Sequence, residues 1–288
     1  MGRSTVMRSL RVPAVALLAA AICSSAAAGQ APPLPSLLER AGAYALRYEE
    51  RFSVVIGDEE YDQKAEGRSY RGPRARKISS EMMFLWLTGE KAWLAVRNVV
   101  SVDGHARNDS QKRLDRLLSD TAPVGITHLR RMRDEGARFN IGTIRRNFND
   151  PMFPLQFLEP EKQPRFTFAP AGHEIVDGTD TSKVTFDEQA RPTFIEDGSR
   201  ALPTHGIFWM ADDGAIMRTR LDVRDPLRGL TAIIIVNYRP EPKLEMLVPV
   251  TMHEIYVAAG ANAEHIECNA RYSGFRRFET AARLVPDP

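Results

Sequence analysis

Apolar and polar residues alternate through much of the second half of the chain, from about Arg165 to Phe278. The alternation is clearest over residues 215–223, and side chains on a strand point alternately to its two sides. The residues predicted to share one face there are Ala215, Met217, Thr219, Leu221 and Val223. Residues 233–236 are instead apolar on both sides, which predicts a central or covered strand.

This pattern predicts a succession of strands in the second half of the chain. They are Arg165–Phe168, Lys183–Glu188, Thr193–Glu196, Gly206–Met210, Ala215–Val223, Leu230–Arg239, Val248–Tyr256 and Glu264–Phe278. Asp-Gly pairs, which favour the positive φ angles of tight hairpins, punctuate the chain. These pairs are Asp103-Gly104, Asp177-Gly178, Asp197-Gly198 and Asp213-Gly214. The sequence therefore predicts a large, mostly antiparallel sheet.

The first half begins with a helical pattern. Ser36 is a suitable cap for a helix that reaches about Arg51 and carries an apolar stripe. Strands are predicted at Phe52–Ile56, Lys77–Leu87 and Ala92–Val102. The acidic stretch at residues 58–62 is predicted to be a solvated turn or strand edge rather than a metal site.

A helical insertion is predicted at about residues 109–160. One helix begins at Asp109 and a second covers Val124–Phe139. The exposed face of the second helix carries Arg130, Arg131, Arg133 and Arg138. This face either binds anions or the surface of a membrane, or it is simply exposed to solvent. Asp150 and Pro151 then form a good helix start, and the apolar turn after them either covers the sheet or belongs to its core.

Residues 1–28 have the organisation of a secretory signal peptide. Three arginines precede the apolar stretch 14–22, which is too short to span a bilayer as a helix, and residues 26–28 are small. Ile22 before Cys23 argues against a lipoprotein. We therefore expect a periplasmic or extracellular protein, with residues 29–35 as a flexible tether and residues 36–288 as a single α+β domain.

Charge and cysteine content change once the leader is removed. The full chain has 39 Lys and Arg against 37 Asp and Glu, and the loss of three arginines turns the net charge from +2 to −1. No overall positive field remains to attract nucleic acid. Cys268 is then the one remaining cysteine, so an intramolecular disulfide is excluded. No other segment is apolar over enough residues to cross a membrane, so no transmembrane span is expected in the mature chain.

The chain lacks the common catalytic and cofactor motifs. It has no phosphate-binding glycine loop, no G-x-S-x-G elbow and no S-x-x-K pair. His253-Glu254 lacks the second histidine of a zincin helix, and His265 and Cys268 would point to opposite faces of a strand. Asp180-Thr181-Ser182 lacks the glycine of an aspartic-protease loop. We therefore predict no enzyme activity, no cofactor and no metal.

Large apolar residues recur on the predicted strands, mostly on one face. They are Phe84, Trp86, Trp209, Met217, Leu221, Ile234, Val236, Tyr238, Val250 and Met252. These residues either form a plain core or line a cavity for an apolar ligand, which a large curved sheet covered by helices can enclose.

The order of the elements resembles the LolA/LolB-like superfamily of periplasmic lipoprotein carriers. The motifs that carry this resemblance are Ala45–Tyr48, Gly89–Trp93, Gly206–Trp209, Gly214–Arg220, Ile233–Tyr238 and Leu247–Thr251 with its Pro249. Residues 93–104 and 272–278 also resemble a group of uncharacterised secreted acidobacterial proteins. The superfamily resemblance implies an incomplete β-barrel with helices over its mouth.

The resemblance also implies a function. We expect a non-enzymatic envelope protein that binds a lipid or another hydrophobic ligand inside the half-barrel. The first alternative is a protein–protein interaction module with a filled core, which would act through the Arg-rich helix or the terminal strand Arg271–Arg277. The second is a hydrolase with an unrecognised site, which a His–carboxylate pair in a cleft would indicate.

Overall fold

Eleven antiparallel strands form one open sheet in the computed structural model. The structure describes residues 1–2, 32–52, 55–68, 70–87, 89–108, 126–144, 146, 148–198, 200–260 and 263–277. Nearly all of the predicted signal peptide and the predicted helix at Asp109 lie outside these residues. The predicted α+β fold class, with a large antiparallel sheet covered by helices, is confirmed. No helix among the described residues is long and apolar enough to cross a membrane.

The elements follow one another along the chain in this order. They are α1 (Leu34–Phe52), β1 (Val55–Gly67), β2 (Arg74–Leu87), β3 (Ala92–Val102), β4 (His105–Ala106), α2 (Ile126–Ala137), two 3₁₀ helices (Phe153–Leu158 and Gln163–Arg165), β5 (Phe166–Val176), β6 (Thr179–Glu188), β7 (Glu196–Asp197), β8 (Arg200–Ala201), β9 (Thr204–Met210), β10 (Ile216–Asp225), β11 (Leu230–Glu241), β12 (Met246–Ala258) and β13 (Glu264–Arg277).

The sheet has the strand order β4-β3-β2-β1-β13-β12-β11-β10-β9-β6-β5, and β7 and β8 form a separate ribbon. Pairing of β1 with β13 joins the first and last strands of the domain in the middle of the sheet. The edge strands β4 and β5 are not paired with each other, so the described sheet is not closed.

Asp-Gly pairs stand at four strand junctions, as predicted. Asp103 and Gly104 have φ angles of 49° and 80°, and Asp177 and Gly178 have φ angles of 48° and 81°. Two consecutive positive φ angles are the geometry that matches the right-handed twist of a hairpin. These two Asp-Gly turns therefore reverse the chain between β3 and β4 and between β5 and β6.

The sheet is strongly curved. The carboxylate of Asp150 accepts a hydrogen bond from the backbone N–H of Ala95 on β3. The next residue, Pro151, accepts one from the hydroxyl of Tyr238 on β11, with an O···O distance of 2.5 Å. These strands are five steps apart in the sheet, which is about 24 Å in a flat sheet. Since consecutive Cα atoms are about 3.8 Å apart, the sheet must bend around the Asp150–Pro151 segment.

We call the face of the sheet that packs on α1 the inner face and the opposite face the outer face. Tyr48 and Phe52 of α1 lie on the inner face, where the Phe52 ring is 5.3 Å from the Phe84 ring. Helix α2 lies on the outer side of β2 and β3, where Leu129 and Met132 join a smaller apolar cluster. Helices thus cover both faces at the β3 end of the sheet.

The apolar turn after Asp150 belongs to the core. Asp150 Oδ1 accepts a hydrogen bond from the Met152 N–H at 2.8 Å, and a 3₁₀ helix follows at Phe153–Leu158. Phe157 is fully buried and its ring centroid is 4.9 Å from those of Phe166 and Phe194. Of the two predicted roles for this turn, the structure shows core packing.

Two predictions at the start of the sheet are wrong. The predicted strand Phe52–Ile56 begins three residues later, because Phe52 completes the aromatic stripe of α1 with its ring 5.0 Å from Tyr48. Residues 58–62 lie inside β1, and Glu59 is buried because Arg97 and Ser80 satisfy its carboxylate.

The predicted strand Thr193–Glu196 is also largely absent. Only Glu196 of this span is in a strand, as part of the two-residue β7. Thr193 instead organises a local loop, because its hydroxyl donates to Ile195 O at 2.7 Å and accepts from Leu202 N–H at 3.1 Å.

A bulge at the start of β10 changes the predicted alternation. The pairing of β10 with β9 shifts register between Ile216 and Arg218. An extra residue in one strand turns the following side chains to the other face. Ile216 and Leu221 therefore lie in the inner-face core, whereas Met217 lies in a separate cluster on the outer face.

Candidate functional site

Most of the ten predicted lining residues lie in the inner-face core. The residues buried there are Phe84, Leu221, Ile234, Val236, Tyr238 and Met252. Val250 packs against the same core and is partly exposed. Trp86 is half-buried, with its ring 5.3 Å from that of Trp93.

Trp209 and Met217 are separated from the other eight residues. They form a cluster with Val176 on the outer face, where the Trp209 Nε1–H donates to Glu174 at 2.9 Å. The prediction that Met217 shares a face with Leu221 is wrong. The cause for Met217 is the β10 bulge, and Trp209 alternates with Phe208 and Met210, which are the inward-facing residues of β9.

A cavity of about 560 Å³ lies along the edge of β3, and we call it the edge cavity. β4 pairs only with Ser101 and Val102, so among the described residues no strand continues the sheet beside residues 93–97. The described residues of the segment 140–150, which form no helix or strand, and the end of α2 stand there instead. Gly136 lets α2 approach closely, because an added Cβ would lie 2.8 Å from Arg97 O.

The edge cavity is lined by apolar and by polar side chains, and we call these two sets of residues its apolar wall and its polar wall. The apolar lining residues are Met82, Trp93, Leu94, Ala95, Ala137, Ile144, Phe148 and Phe153. The charged and amide residues are Arg97, Arg133, Arg138, Arg146, Asp134, Asp150, Asn140 and Asn149. Among the described residues that line the cavity, none is one of the ten predicted from the sequence. The arrangement suits a ligand with an apolar part and a polar part.

Arg97 is held in place by a buried ion pair. Its Nε and Nη2 donate to the two carboxylate oxygens of Glu59 at 2.6 and 2.8 Å. Its guanidinium also lies 4.5 Å from the ring centroid of Tyr61. Burial acts to lower the pKa of Arg97, but the Glu59 carboxylate outweighs it and the pKa is raised, so this side chain stays charged and its charge is neutralised by Glu59.

Arg146 anchors the segment 140–150 inside the curved sheet. Its guanidinium donates to the Tyr61 hydroxyl and to Cys268 Sγ at 3.1 and 2.8 Å. It also donates to Gln63 Oε1 and to Ile141 O at 2.9 and 2.7 Å. All four acceptors are uncharged groups. The buried Nε has no hydrogen-bond partner among the described atoms.

Two carboxyl groups near Arg146 and the cavity have raised pKa values because they are buried. Burial raises the pKa of Asp150 to about 6, although the N–H groups of Met152 and Ala95 act in the opposite direction. Burial also raises the pKa of Glu254, which accepts a hydrogen bond from the Tyr256 hydroxyl at 2.5 Å. Negative charge is therefore disfavoured at both positions.

Of the two remaining arginines of the cavity, Arg133 lies on α2 and Arg138 directly follows its last residue. Arg133 Nη2 is 3.0 Å from Asp134 Oδ1, which forms an exposed ion pair. Arg138 is exposed and forms no ion pair with any residue that the structure describes. The predicted Arg-rich face is thus partly neutralised, since Arg130 is also paired, with Glu90 at 2.6 Å.

Two His–carboxylate pairs bear on the hydrolase hypothesis. His205 and Asp187 are opposite each other on β9 and β6, and both are about half exposed. His253 Nε2 is 3.1 Å from Glu267 Oε1. His253 borders a second depression of about 580 Å³, where Asp62 is paired with Lys77 and Arg271. In the described part of the chain, no serine, threonine or cysteine is hydrogen-bonded to either imidazole, and no group of three metal-ligating side chains occurs.

Part of this site could be predicted from the sequence. Trp93 belongs to a motif of the superfamily resemblance, and the arginines of α2 were singled out by their charge. Arg146, Asn140 and Asn149 were missed, because they lie in an irregular segment without periodicity. The pair of arginines at positions 145 and 146, between the apolar residues Ile144 and Phe148, was the available signal.

Comparison with known proteins gives similarity only at the level of the fold. No family model matches the sequence, and no curated protein matches it. Among solved structures, a putative outer membrane lipoprotein-sorting protein domain from Vibrio parahaemolyticus is 10% identical with a TM-score of 0.33, covering 85% of this chain and 92% of that chain. A DUF1329 family protein from Desulfovibrio piger is 10% identical with a TM-score of 0.38, covering 85% and 94%.

A LolA superfamily protein from Nitrosomonas europaea is also similar to this chain. It is 11% identical with a TM-score of 0.30, covering 87% of this chain and 96% of that chain. The superfamily named by the sequence resemblance therefore occurs among the similar structures. The likeness concerns the course of the backbone, and the chemistry of the edge cavity belongs to this chain's own residues.

Proposed function

We propose that the protein is a binding protein of the cell envelope that holds a hydrophobic or amphiphilic small molecule in the edge cavity. The observation that carries this proposal is a cavity of about 560 Å³ with one apolar and one polar wall. Pockets that bind small molecules commonly have volumes of about 300–1,000 Å³ and are lined mostly by apolar side chains with a few polar groups. The predicted signal peptide supports the envelope location.

The apolar wall is built from rigid elements. Trp93 and Ala95 project from β3, and the Trp93 ring is 6.2 Å from those of both Tyr48 and Phe52. Met82 on β2 is buried beside them. Because these side chains are fixed by the sheet and by α1, the wall is formed before a ligand arrives, which reduces the entropy cost of binding.

The proposal assigns a binding role rather than catalysis. Most of the ten residues predicted from the sequence then belong to the core that shapes the sheet, and the ligand lies beside β3. The interaction-module hypothesis predicts instead that the protein carries no small molecule and acts through its surface.

The first test is the composition of the protein itself. The full chain is exported to a bacterial periplasm, purified without detergent, and its organic extract is examined by mass spectrometry. We expect a lipid or another amphiphile at a ratio near one per chain. An extract that contains no lipid or other amphiphile, together with a failure of the protein to bind added fatty acids or fatty alcohols, would contradict the proposal. It would favour the interaction-module hypothesis.

The second test fills the cavity. Ala137 lies at the exposed end of α2 and lines the cavity, so Ala137→Trp should narrow it without disturbing the core. Ala43 is an exposed residue on α1 away from the cavity, so Ala43→Trp is the matched control. We expect at least about a tenfold loss of affinity for the first variant only, because the added ring occupies ligand space. Equal affinities would place the ligand elsewhere.

A further inference from the structure

The charges that line the edge cavity do not balance. Glu59 neutralises Arg97, and Asp134 neutralises Arg133. Among the described lining residues this leaves Arg138 and Arg146 against the single carboxyl of Asp150, so one positive charge remains uncompensated even when Asp150 is ionised. The polar wall therefore has an excess of positive charge.

Arg146 is the most unusual of these groups. Arg146 is only 4% exposed, yet none of the four groups that accept its hydrogen bonds is a carboxylate. Glu254 acts on it through space but is hydrogen-bonded to Tyr256. A buried cation without a directly bonded anion is costly, and an unpaired N–H adds to that cost.

Two amide side chains at the same cavity also lack partners. Asn140 Oδ1 and Asn149 Nδ2 are buried and make no hydrogen bond among the described atoms. Together with Arg146 Nε, Asn149 Nδ2 gives two unsatisfied N–H donors on residues that line one cavity, and Asn140 Oδ1 is an unsatisfied acceptor. Buried polar groups are usually satisfied, so such a concentration indicates a missing polar partner.

We infer that the ligand is an anionic amphiphile, whose acidic head group lies at the Arg138–Arg146 end and whose apolar chain lies along Trp93, Ala95 and Phe153. This inference rests on the proposed function and adds the chemical class of the ligand. An acidic head group supplies the negative charge that the polar wall lacks and oxygen acceptors for its N–H groups. The apolar wall takes the chain and excludes water from it.

The structural alternative is that Arg146 only anchors the segment 140–150. In that case the protein would not distinguish head groups of different charge. The decisive experiment therefore varies the ligand and leaves the protein unchanged. Dodecanoate, dodecanol and dodecylamine share one chain and differ in head-group charge, and the corresponding sixteen-carbon series controls for chain length.

The purified protein is titrated with each probe at pH 8, below the critical micelle concentration of that probe. The dissociation constants of the three probes are then compared. We expect the carboxylate to bind at least about tenfold more tightly than the alcohol, and the amine to bind most weakly. Equal binding of all three probes would overturn the head-group inference and leave the proposed function intact. Failure of all probes to bind would overturn both. Displacement of dodecanoate by acetate at equal concentration would show that the protein recognises the anionic group alone. That result would overturn the inference that the ligand is an amphiphile.

A pair of variants locates the head group. Arg138→Gln removes a lining charge that has no ion-pair partner among the described residues, and Arg131→Gln removes an exposed charge of α2 that does not line the cavity. We expect Arg138→Gln to weaken dodecanoate binding about fivefold and to leave dodecanol binding unchanged. Arg131→Gln should change neither. Equal effects of the two variants on dodecanoate would place the head group elsewhere.

Discussion

Arg97 and Glu59 form a two-pronged ion pair inside the protein, with N···O distances of 2.6 and 2.8 Å. The Glu59 side chain has no exposed surface and that of Arg97 is 9% exposed. The pair joins β3 to β1 across β2, and the Ser80 hydroxyl of β2 donates to the same carboxylate at 2.6 Å. The wall of the edge cavity thus depends on an ionic contact that the surrounding apolar residues shield from water.

Breaking this ion pair should destabilise the fold. Glu59→Gln leaves the Arg97 charge buried without its counter-ion, and we expect the free energy of unfolding to fall by about 3–5 kcal/mol. Denaturant unfolding followed by circular dichroism measures it. Glu161→Gln is the matched control, because Glu161 is paired with Lys91 at 2.6 Å on an exposed surface. We expect no measurable change there. A similar small effect in both variants would show that the buried pair is unimportant.

Gly206 should not tolerate a side chain. An added Cβ would lie 1.9 Å from Arg220 O on β10 and 2.6 Å from the Phe186 ring on β6. Gly206→Ala should therefore lower the free energy of unfolding by more than about 2 kcal/mol, since the strand backbones must separate. At Gly89 an added Cβ meets nothing within 4 Å, so Gly89→Ala is the control and should be nearly neutral. Equal stability of the two variants would contradict the described packing of β9.

Asp150 should make stability depend on pH. Its folded-state pKa of about 6 lies above the ordinary value of 3.8, so the folded protein retains the proton to higher pH than the unfolded chain. Wild type should therefore lose stability relative to Asp150→Asn as the pH rises from about 4 to about 6, with no further relative change above that. Urea unfolding of both proteins across this range gives the difference. The free energy of unfolding of wild type minus that of Asp150→Asn should fall with pH. If this difference stays constant or rises with pH, burial does not control the pKa of Asp150.

Cys268 should be inert in the folded protein. It is fully buried, and burial raises the pKa of its thiol to about 12. Because the thiolate is the reactive form, Ellman's reagent should leave the folded mature protein unmodified and should react once the protein is unfolded in guanidinium chloride. Rapid reaction of the folded protein would show that the β13 region opens readily or that Cys268 is exposed.

Local patterns accounted for the regular part of the fold. β3 was predicted at Ala92–Val102 and has those bounds, because its alternation follows a tight turn and ends at an Asp-Gly pair. Helix α2 was predicted as Val124–Phe139 and covers Ile126–Ala137, where Leu129 and Met132 form its buried stripe. Periodicity and turn chemistry are local properties, so the sequence displays them directly.

The edge cavity could not be derived in this way. It combines β3, α2 and residues 140–150, which are brought together by long-range packing rather than by a repeating pattern. The β10 bulge is another such feature, since a single extra residue moves Met217 to the outer face without changing the sequence pattern. The sequence also could not separate core residues from ligand contacts among the ten predicted residues, because burial in a core and burial around a ligand favour the same side chains.

The position of the ligand is the central claim, and tryptophan fluorescence tests it most directly. Two variants each keep one tryptophan as reporter: Trp86→Phe with Trp209→Phe leaves Trp93 in the edge cavity, and Trp86→Phe with Trp93→Phe leaves Trp209 on the outer face. Each is titrated with a brominated dodecanoate, which quenches fluorescence on contact. We predict saturable quenching of Trp93 near one equivalent and none of Trp209. Quenching of Trp209 with Trp93 unaffected would contradict a ligand site beside β3.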